Sequence, residues 1–469
     1  MFIQSLVKSA EDFIGRSIGG AVISVPTFFT EAQKEALEKA ANNAGVRVLQ
    51  LLDEAGAAAV TTTSDLWGAE LHPDRTQLVV DLGYSSLSLS LLSIRSGLAF
   101  VLASSSTSSI GSHQIDDKLI TFFATDFTKK TKTPLSVCPS TGTVDQRAEA
   151  KLRLAIEHTK RTISASPGAA TCSIESLKDG LDYTGSINRM RFDMVARSVY
   201  ASVSDATTAL LDSAAFDPHH VDEIVYVGGS TCLPGLDEQL CVQGGFREDV
   251  DTPFARGTVV GGGVGDPTTV LARGCAVQAA LIAGIPEDEA HKELRRAYSR
   301  GGSKDNEVTA TSKTVGILIP GVGVAGANKE LGGIWVPVVH KETALPARRS
   351  VRFDVEVSES GKRLAFEVWE VSESIRVEKV VPPKMEDDEE EEEEEIEVKH
   401  RVVKKGTYLG LLEAEALLAI QTKGKGKDAG KWSTTVDIQF VIHATAALRV
   451  DLKEVGSDGA TASLTVAAA

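Results

Sequence analysis

The pattern of apolar and polar positions alternates short β-branched runs with helical periods up to about residue 284. Residues 21–29 (AVISVPTFF) predict a buried strand that runs into a loop. A helix is predicted from Thr30, because Thr30 and Gln33 have the spacing of a capping box, and Gly45 is expected to end it. Alternation of this kind is typical of an α/β fold.

The same part of the chain carries further periodic segments. Strands are predicted at 77–80, 87–94 and 223–227, and helices at 148–164, 192–214 and 270–282. Two of these strands, 77–80 and 223–227, run into turns that contain glycine. The ends of those two strands are therefore candidate places for a binding site.

The helical period is largely lost beyond residue 313. Residues 285–312 are polar and charged and predict a helical start followed by a linker. Short strand-like runs separated by turns follow at 314–319, 334–340, 350–357, 363–371, 434–443, 447–452 and 462–466. Several short strands in series predict a β-sandwich over residues 313–469.

Charge is concentrated in one segment of this β-rich part. The 469 residues carry a net charge of −16, and the ten consecutive acidic residues 386–395 supply most of it. We interpret this insertion as a solvated loop, with a docking site as the alternative. The negative balance argues against nucleic-acid binding by the chain as a whole.

Several other classes are excluded by the sequence. The longest apolar runs are interrupted by Arg273 or by Glu413 and Glu415, so none reaches the roughly 18 residues of a membrane span. The apolar start, 1–7, is followed too soon by Lys8 for a signal-peptide core. Five widely spaced cysteines indicate reduced thiols in a cytosolic protein, not a disulfide framework or a zinc site.

Two strand ends carry residue types that bind phosphate and magnesium. Asp81-Leu82-Gly83 places a carboxylate and then a glycine after the strand at 77–80, and the turn 228–230 (GGS) follows the strand at 223–227. A carboxylate reaches a metal ion or its water, and glycine lets backbone N–H groups approach oxygen. Each signal is weak alone, but the two together, at these positions, resemble the pattern of a known family.

Five segments in order resemble the 70-kDa heat-shock chaperones, whose nucleotide domain has the actin-like fold. AVISVPTFF (21–29), DEAGAAA (53–59), DLGYSS (81–86), EHTKRTIS (157–164) and VGGSTCLP (227–234) resemble the family's AVITVPAYF, NEPTAAA, DLGGGT, ERAKRTLS and VGGSTRIP. The resemblance implies an α/β actin-like nucleotide-binding domain over 1–284, and an all-β sandwich of the peptide-binding type without a helical lid over 313–469.

The resemblance also implies an ATP site with magnesium. The positions that match its adenosine and phosphate contacts are Gly83, Glu157, Lys160, Arg161, Ser164, Gly228, Gly229 and Ser230. Residues 157, 160, 161 and 164 share one face of a helix. Glu54 and Asp81 match the catalytic-centre glutamate and the magnesium-side aspartate, which acts through a bound water.

Several positions depart from the family pattern. Tyr84 and Ser85 replace two glycines, and we expect their side chains to obstruct close contact between backbone and phosphate. Ser88 replaces a monovalent-cation aspartate, and Cys232 an arginine that packs on adenine. The family's first phosphate loop has no counterpart, so an N-terminally incomplete version and a chain unable to close its cleft both stay open. Little or no hydrolysis is expected.

Degraded phosphate loops, a missing helical lid and the long acidic insertion together resemble one divergent branch of the family, the Ssz-type ribosome-associated proteins of fungi. That resemblance implies a J-domain partner of the zuotin type and a cytoplasmic location on ribosomes, reached through the partner. It also implies that the protein assists the folding of nascent polypeptides. Contact with a membrane or direct contact with nucleic acid is not expected. The alternatives are an active ATP-hydrolysing chaperone and an actin-like sugar kinase, which would lack the β-sandwich.

Residues 321–326 (GVGVAG) also fit the glycine spacing of a dinucleotide-binding loop. That function requires a helix directly after the glycines and an acidic residue about twenty positions on. The following sequence leads into another predicted strand. We therefore predict a turn of the β domain at 321–326.

Overall fold

The computed structural model describes residues 1–64, 71–166, 168–257, 265–299, 308–320, 331–357, 362–380, 396–421 and 432–467. The chain divides into two compact units, Met1–Asn306 and Glu307–Ala469. Their boundary falls inside the predicted linker, 285–312. No helix of the described ranges is long and apolar enough to cross a membrane.

Helices and strands alternate in the first unit. Its helices in the described ranges are α1 (Phe2–Ile14), α2 (Glu31–Asn43), α3 (Glu54–Thr63), α4 (His113–Thr131), α5 (Thr143–Ala165), α6 (Arg189–Ser213), α7 (Pro234–Gln243), α8 (Val270–Gly284) and α9 (Lys292–Ser299). Its strands there are β1 (Ala21–Val25), β2 (Val48–Asp53), β3 (Asp74–Leu82), β4 (Leu87–Arg95), β5 (Leu98–Thr107), β6 (Ala169–Lys178), β7 (Leu181–Asn188) and β8 (Glu223–Val227).

A four-stranded sheet with the order β5-β4-β3-β8 forms the centre of the first unit. β8 runs parallel to β3, while β4 and β5 pair antiparallel. Leu78 and Val80 of β3 pack with residues of α4 to α7, and Val79 between them packs with residues of α3 and α8. Because both faces are covered, every residue of β4 and β8 is buried.

The described residues of this unit also form two smaller sheets. β1 and β2 pair parallel, and β6 and β7 form an antiparallel hairpin. α8 contacts both β1 and α3. α3 begins directly after β2, and its first residue is Glu54. α8 therefore packs against the helix that carries Glu54.

A buried charge network crosses the parallel pair of β3 and β8. Glu223 is fully buried, and its Oε2 accepts hydrogen bonds from Arg75 Nε at 2.9 Å and Gln77 Nε2 at 2.7 Å. Its Oε1 accepts from Arg256 Nη2 at 3.1 Å. A buried carboxylate of this kind is held by its partners, because water cannot solvate it.

Most predicted elements of this unit are found. The capping box of α2 is confirmed: the Thr30 side chain accepts from the Gln33 amide, and the Gln33 side chain accepts from the Thr30 amide. The strand predicted at 223–227 is confirmed with the same bounds. The elements that were not predicted are α1, β2, α3, β5, α4, the β6–β7 hairpin and α7.

The second unit consists of antiparallel strands in the described ranges. These are β9 (Thr314–Pro320), β10 (Gly333–Val339), β11 (Ala347–Val357), β12 (Arg363–Val380), β13 (Ile396–Glu415), β14 (Ile420–Gln421), β15 (Trp432–Ile442), β16 (Leu448–Glu454) and β17 (Thr461–Val466). They form sheets with the orders β10-β9-β12-β13 and β11-β15-β16-β17, and β14 pairs with β15. The β-rich fold predicted for this part of the chain is confirmed.

The two sheets of this unit share one apolar core. Ile317 and Phe366 of the first sheet and Ile438, Phe440 and Val450 of the second belong to it, and all five are fully buried. Burial alternates along β15, as expected where one face of each sheet points inward.

Two predictions concern residues outside the described ranges, namely the loop at 386–395 and the turn at 321–326. Both stay predictions. The basic stretch 399–405, which follows the acidic run, lies within β13, a strand that was not predicted. Its polar composition hides the alternation by which strands are recognised.

Candidate functional site

A cavity of about 820 Å³ lies in the first unit where β3 and β8 end. The eight residues that match nucleotide contacts all line it: Gly83, Glu157, Lys160, Arg161, Ser164, Gly228, Gly229 and Ser230. Glu54 and Asp81 are not among its lining residues. In open α/β sheets, ligands bind beyond the carboxyl ends of the strands, which is the position of this cavity.

One face of α5 forms a polar wall of the cavity. Lys160 Nζ lies 2.7 Å from Asp116 Oδ1 and 2.9 Å from Glu157 Oε2. Burial favours a lower pKa for Lys160, but the bonds to Asp116 and Glu157 outweigh it and raise the pKa above its usual value. The Arg161 side chain is 78 % exposed and pairs only loosely with Glu157, at 3.3 Å. The wall therefore presents one fixed ammonium group and one guanidinium that can turn toward a ligand.

The turn after β8 requires glycine at its first position. Gly228 has φ of 91°, and a Cβ there would lie 3.0 Å from the Leu82 carbonyl oxygen and 3.4 Å from Asp81 Oδ1. The Gly228 amide donates to the Pro267 carbonyl at 3.0 Å. The backbone at Gly228 thus lies so close to the end of β3 that a side chain at this position would not fit.

The turn after β3 also lines the cavity, through Gly83 and Tyr84. The Gly83 amide donates to the Ser86 carbonyl at 2.9 Å. A Cβ at Gly111 would lie 2.4 Å from the Tyr84 carbonyl oxygen, so the loop before α4 packs tightly on this turn. Tyr84 lines the cavity and is 55 % exposed. Obstruction of phosphate by its side chain stays a prediction.

Two other departures from the family pattern have internal partners. The Ser88 hydroxyl lies 3.2 Å from that of Ser106. The Cys232 carbonyl accepts a hydrogen bond from the Ser164 hydroxyl, which joins the turn after β8 to α5. Burial raises the pKa of the Cys232 thiol to about 11, so it stays neutral at physiological pH.

Glu54 and Asp81, which do not line the cavity, carry carboxyl groups whose charges interact. Burial, the charge of Asp81 and the charge of Asp53 raise the pKa of Glu54 to about 7. Burial raises the pKa of Asp81 to about 6. Two carboxylates whose ionised forms are disfavoured in this way are stabilised by a nearby cation.

These carboxyl groups predict a pH-dependent stability. The folded chain keeps the Glu54 proton up to about pH 7, whereas the unfolded chain loses it near 4.5. The free energy of unfolding therefore falls as pH rises through that window. We expect Glu54→Gln to be more stable than the wild type at pH 8, by about 1 kcal/mol after allowance for solvent screening, and equal to it near pH 4.5.

Urea unfolding at both pH values measures this difference. The control is Glu35→Gln, because Glu35 is an exposed carboxyl group on α2. A stability difference for Glu54→Gln that does not change between pH 4.5 and pH 8 would contradict the assignment.

The residues present fit a nucleotide with magnesium. The charged Lys160 and Arg161 side chains lie along one wall, and the two turns bring backbone close to the cavity at Gly83 and Gly228. In the described ranges, no group of three or more His, Cys, Asp or Glu could hold a metal ion. A magnesium ion near Asp81 would therefore be held mainly through water and phosphate oxygen, as this ion prefers.

Four further residues line the cavity that the sequence did not single out, namely Ile115, Ala165, Asp266 and Thr268. Asp266 Oδ1 accepts from the Thr268 amide at 2.8 Å and from its hydroxyl at 2.7 Å, which fixes this edge. Ser112 and Ile115 belong to the start of α4, whose apolar residues 115, 119, 123 and 127 recur at helical spacing and could have identified it.

Comparison with known proteins identifies one family. The family described as Hsp70 protein matches residues 1–293. A heat shock protein 70 homolog of Schizosaccharomyces pombe is 30% identical over 443 residues, which cover 91% of this chain and 70% of that protein. A heat shock 70 kDa protein of Emericella nidulans is 29% identical over 353 residues, which cover 75% and 48%.

The ribosome-associated complex subunit SSZ1 of Saccharomyces cerevisiae is 30% identical over 349 residues, which cover 74% of this chain and 59% of that protein. The chain thus spans between about half and 70% of the length of these relatives. The family match extends over more than half of the chain and includes all five motifs. The chain therefore belongs to the Hsp70 family.

Proposed function

We propose that this chain is a nucleotide-holding Hsp70-type chaperone subunit with little or no ATP hydrolysis. It works with a J-domain protein of the zuotin type on ribosomes, where the pair assists the folding of nascent chains. The observation that carries the nucleotide part is the cavity at the ends of β3 and β8, which all eight matched residues line. ATP and magnesium are the ligands that this family membership implies.

Weak hydrolysis is supported by three residues in and after the turn that follows β3, namely Tyr84, Ser85 and Ser88. Ser88 stands where the family has an aspartate. Its uncharged hydroxyl lies within hydrogen-bond distance of the Ser106 hydroxyl. Phosphoryl transfer depends on positioned charges and cations, so the loss of one lowers the rate. Tyr84 and Ser85 in place of glycines change the same region.

One observation favours the alternative, an active ATP-hydrolysing chaperone. Glu54 and Asp81 are both present, and their charges interact closely enough to raise the pKa of Glu54. Single-turnover ATP hydrolysis with a J-domain protein present decides between the two functions. A rate stimulated to the level of an ordinary Hsp70 would reject the holding role.

Nucleotide binding is tested with the double variant Lys160→Ala, Arg161→Ala of the full chain. Loss of two cationic groups from one wall is expected to weaken ATP binding at least about tenfold, since each charged hydrogen bond contributes roughly 1.5–3 kcal/mol. Calorimetry measures the affinity, and thermal unfolding without nucleotide shows whether the fold is kept. Arg147→Ala is the control, because Arg147 lies exposed on the same helix outside the cavity. Unchanged affinity would remove the site assignment.

The proposed partnership is supported by the similarity to SSZ1, which is described as a subunit of a ribosome-associated complex. We propose that the second unit holds the N-terminal segment of the partner by pairing at sheet edges and in apolar pockets. Residues 313–469 alone should then retain that segment in a pull-down. Retention by 1–284 with loss from 313–469 would reverse the roles of the two units.

A further inference from the structure

The turn Gly83–Ser86 is tied to the start of α4 through its carbonyl groups. The Ser112 amide donates to the Gly83 carbonyl at 3.1 Å, and the His113 amide donates to the Tyr84 carbonyl at 3.0 Å. Amides at the start of a helix have no partner within the helix and usually bind a side chain, water or an anion. Here the amides of Ser112 and His113 bind the carbonyl groups of the turn instead.

This attachment fixes the direction of two further amides. In a trans peptide the N–H group points opposite to the carbonyl group. Because the carbonyls of Gly83 and Tyr84 point to α4, the N–H groups of Tyr84 and Ser85 point away from it. Successive N–H groups on one side of a turn form a concave site for anions.

Glycine is not needed for this conformation. None of the residues 83–86 has a positive φ, so a tyrosine and a serine fit the turn without backbone strain. Replacement of the two glycines therefore does not change the backbone conformation that the turn can adopt. What the replacement adds is two side chains.

The Tyr84 side chain has partners on two helices. Its hydroxyl accepts a hydrogen bond from Arg153 Nη1 of α5 at 3.2 Å. Its ring lies 5.8 Å from the His113 ring at the start of α4, centroid to centroid. Arg153 is itself fixed by Asp117 Oδ1 at 2.8 Å and Glu149 Oε1 at 3.0 Å. The tyrosine thus connects the turn to α4 and α5.

We propose that Tyr84 and Arg153 are positioning residues that lock the turn Gly83–Ser86, which lines the cavity, in its present conformation before nucleotide binds. This rests on the proposed function, nucleotide holding at this cavity. A turn of glycines loses conformational entropy when a ligand orders it, whereas a turn fixed in advance loses little. The lock favours stable holding of a nucleotide over repeated rearrangement of the turn.

The test is Tyr84→Phe in the full chain, which removes the hydroxyl and keeps the ring. Without nucleotide, hydrogen exchange at the Ser112 and His113 amides should become about three- to tenfold faster, the effect of one lost hydrogen bond on the opening equilibrium. ADP binding should weaken by a similar factor in calorimetry. Tyr408→Phe, in the second unit, is the control, because Tyr408 is 50 % exposed and comparable to Tyr84.

A second variant separates the lock from general loosening. In Arg153→Gln the hydroxyl has already lost its partner, so adding Tyr84→Phe should produce no further increase in exchange. Additive effects, or unchanged exchange at Ser112 and His113 in Tyr84→Phe, overturn the lock. If the wild type binds no ADP, the proposed function fails, while exchange without nucleotide still decides the lock by itself.

Discussion

Glu223→Gln is expected to lower the free energy of unfolding of the first unit by about 3–5 kcal/mol, because it removes one charge of a buried network. The substitution keeps the size of the side chain, so the loss reports charge and hydrogen bonding and not a cavity. Arg75 is 4% exposed and would keep its charge without the carboxylate that neutralises it. Urea unfolding followed by a signal of the first unit measures the change.

An exposed pair in the same unit provides the control. Glu31 and Lys34 lie 2.8 Å apart, and the Glu31 side chain is 81% exposed. Glu31→Gln should cost at most about 1 kcal/mol, since water solvates both groups. If Glu223→Gln cost no more than Glu31→Gln, the network between β3 and β8 would not stabilise the sheet as its burial implies.

Gly274→Ala is expected to lower the free energy of unfolding by about 1–3 kcal/mol, because it overpacks the contact between α8 and α3. A Cβ at Gly274 would lie 1.9 Å from the Ala57 carbonyl oxygen and 2.8 Å from Thr61 Oγ1. The Thr61 hydroxyl donates to the Val270 carbonyl at 2.6 Å, so a shift of either helix would also disturb this hydrogen bond. The cost exceeds the gain of about 1 kcal/mol that alanine brings to a helix.

The displaced helix carries Glu54, so the same variant should alter the pH dependence of stability predicted for that residue. Gly284→Ala is the matched control, because Gly284 ends the same helix and a Cβ there meets nothing within 4 Å. Thermal unfolding at pH 5 and pH 8 compares the two. Equal melting temperatures for Gly274→Ala and Gly284→Ala would contradict the tight packing of α8 on α3.

Local sequence signals predicted the elements whose causes are local. The capping box at Thr30 and Gln33 specifies the start of α2 within four residues, and the uninterrupted apolar run of β8 identifies a buried strand. The family motifs then predicted which residues would line the cavity, and the structure brings all eight together. The ligand and the chemistry at that cavity stay proposals.

The features that were missed depend on contacts between distant segments. Arg75 and Glu223 are 148 residues apart, so nothing near either residue indicates that they pair. The partners of the first amides of α4 come from the turn at Gly83, about thirty residues earlier. The effect of Tyr84 was predicted from its size alone, whereas its position depends on Arg153 of α5.

The parallel pairing of β3 with β8 sets a time scale for synthesis of this chain. A ribosome adds about 5–20 residues per second, so the 148 residues from Arg75 to Glu223 take about 7–30 s to be made. For that interval the edge of β3 that receives β8 has no partner within the growing chain. An open, apolar strand edge pairs readily with other chains. Until β8 has been made, the nascent chain therefore carries a strand edge that is open to pairing with other chains.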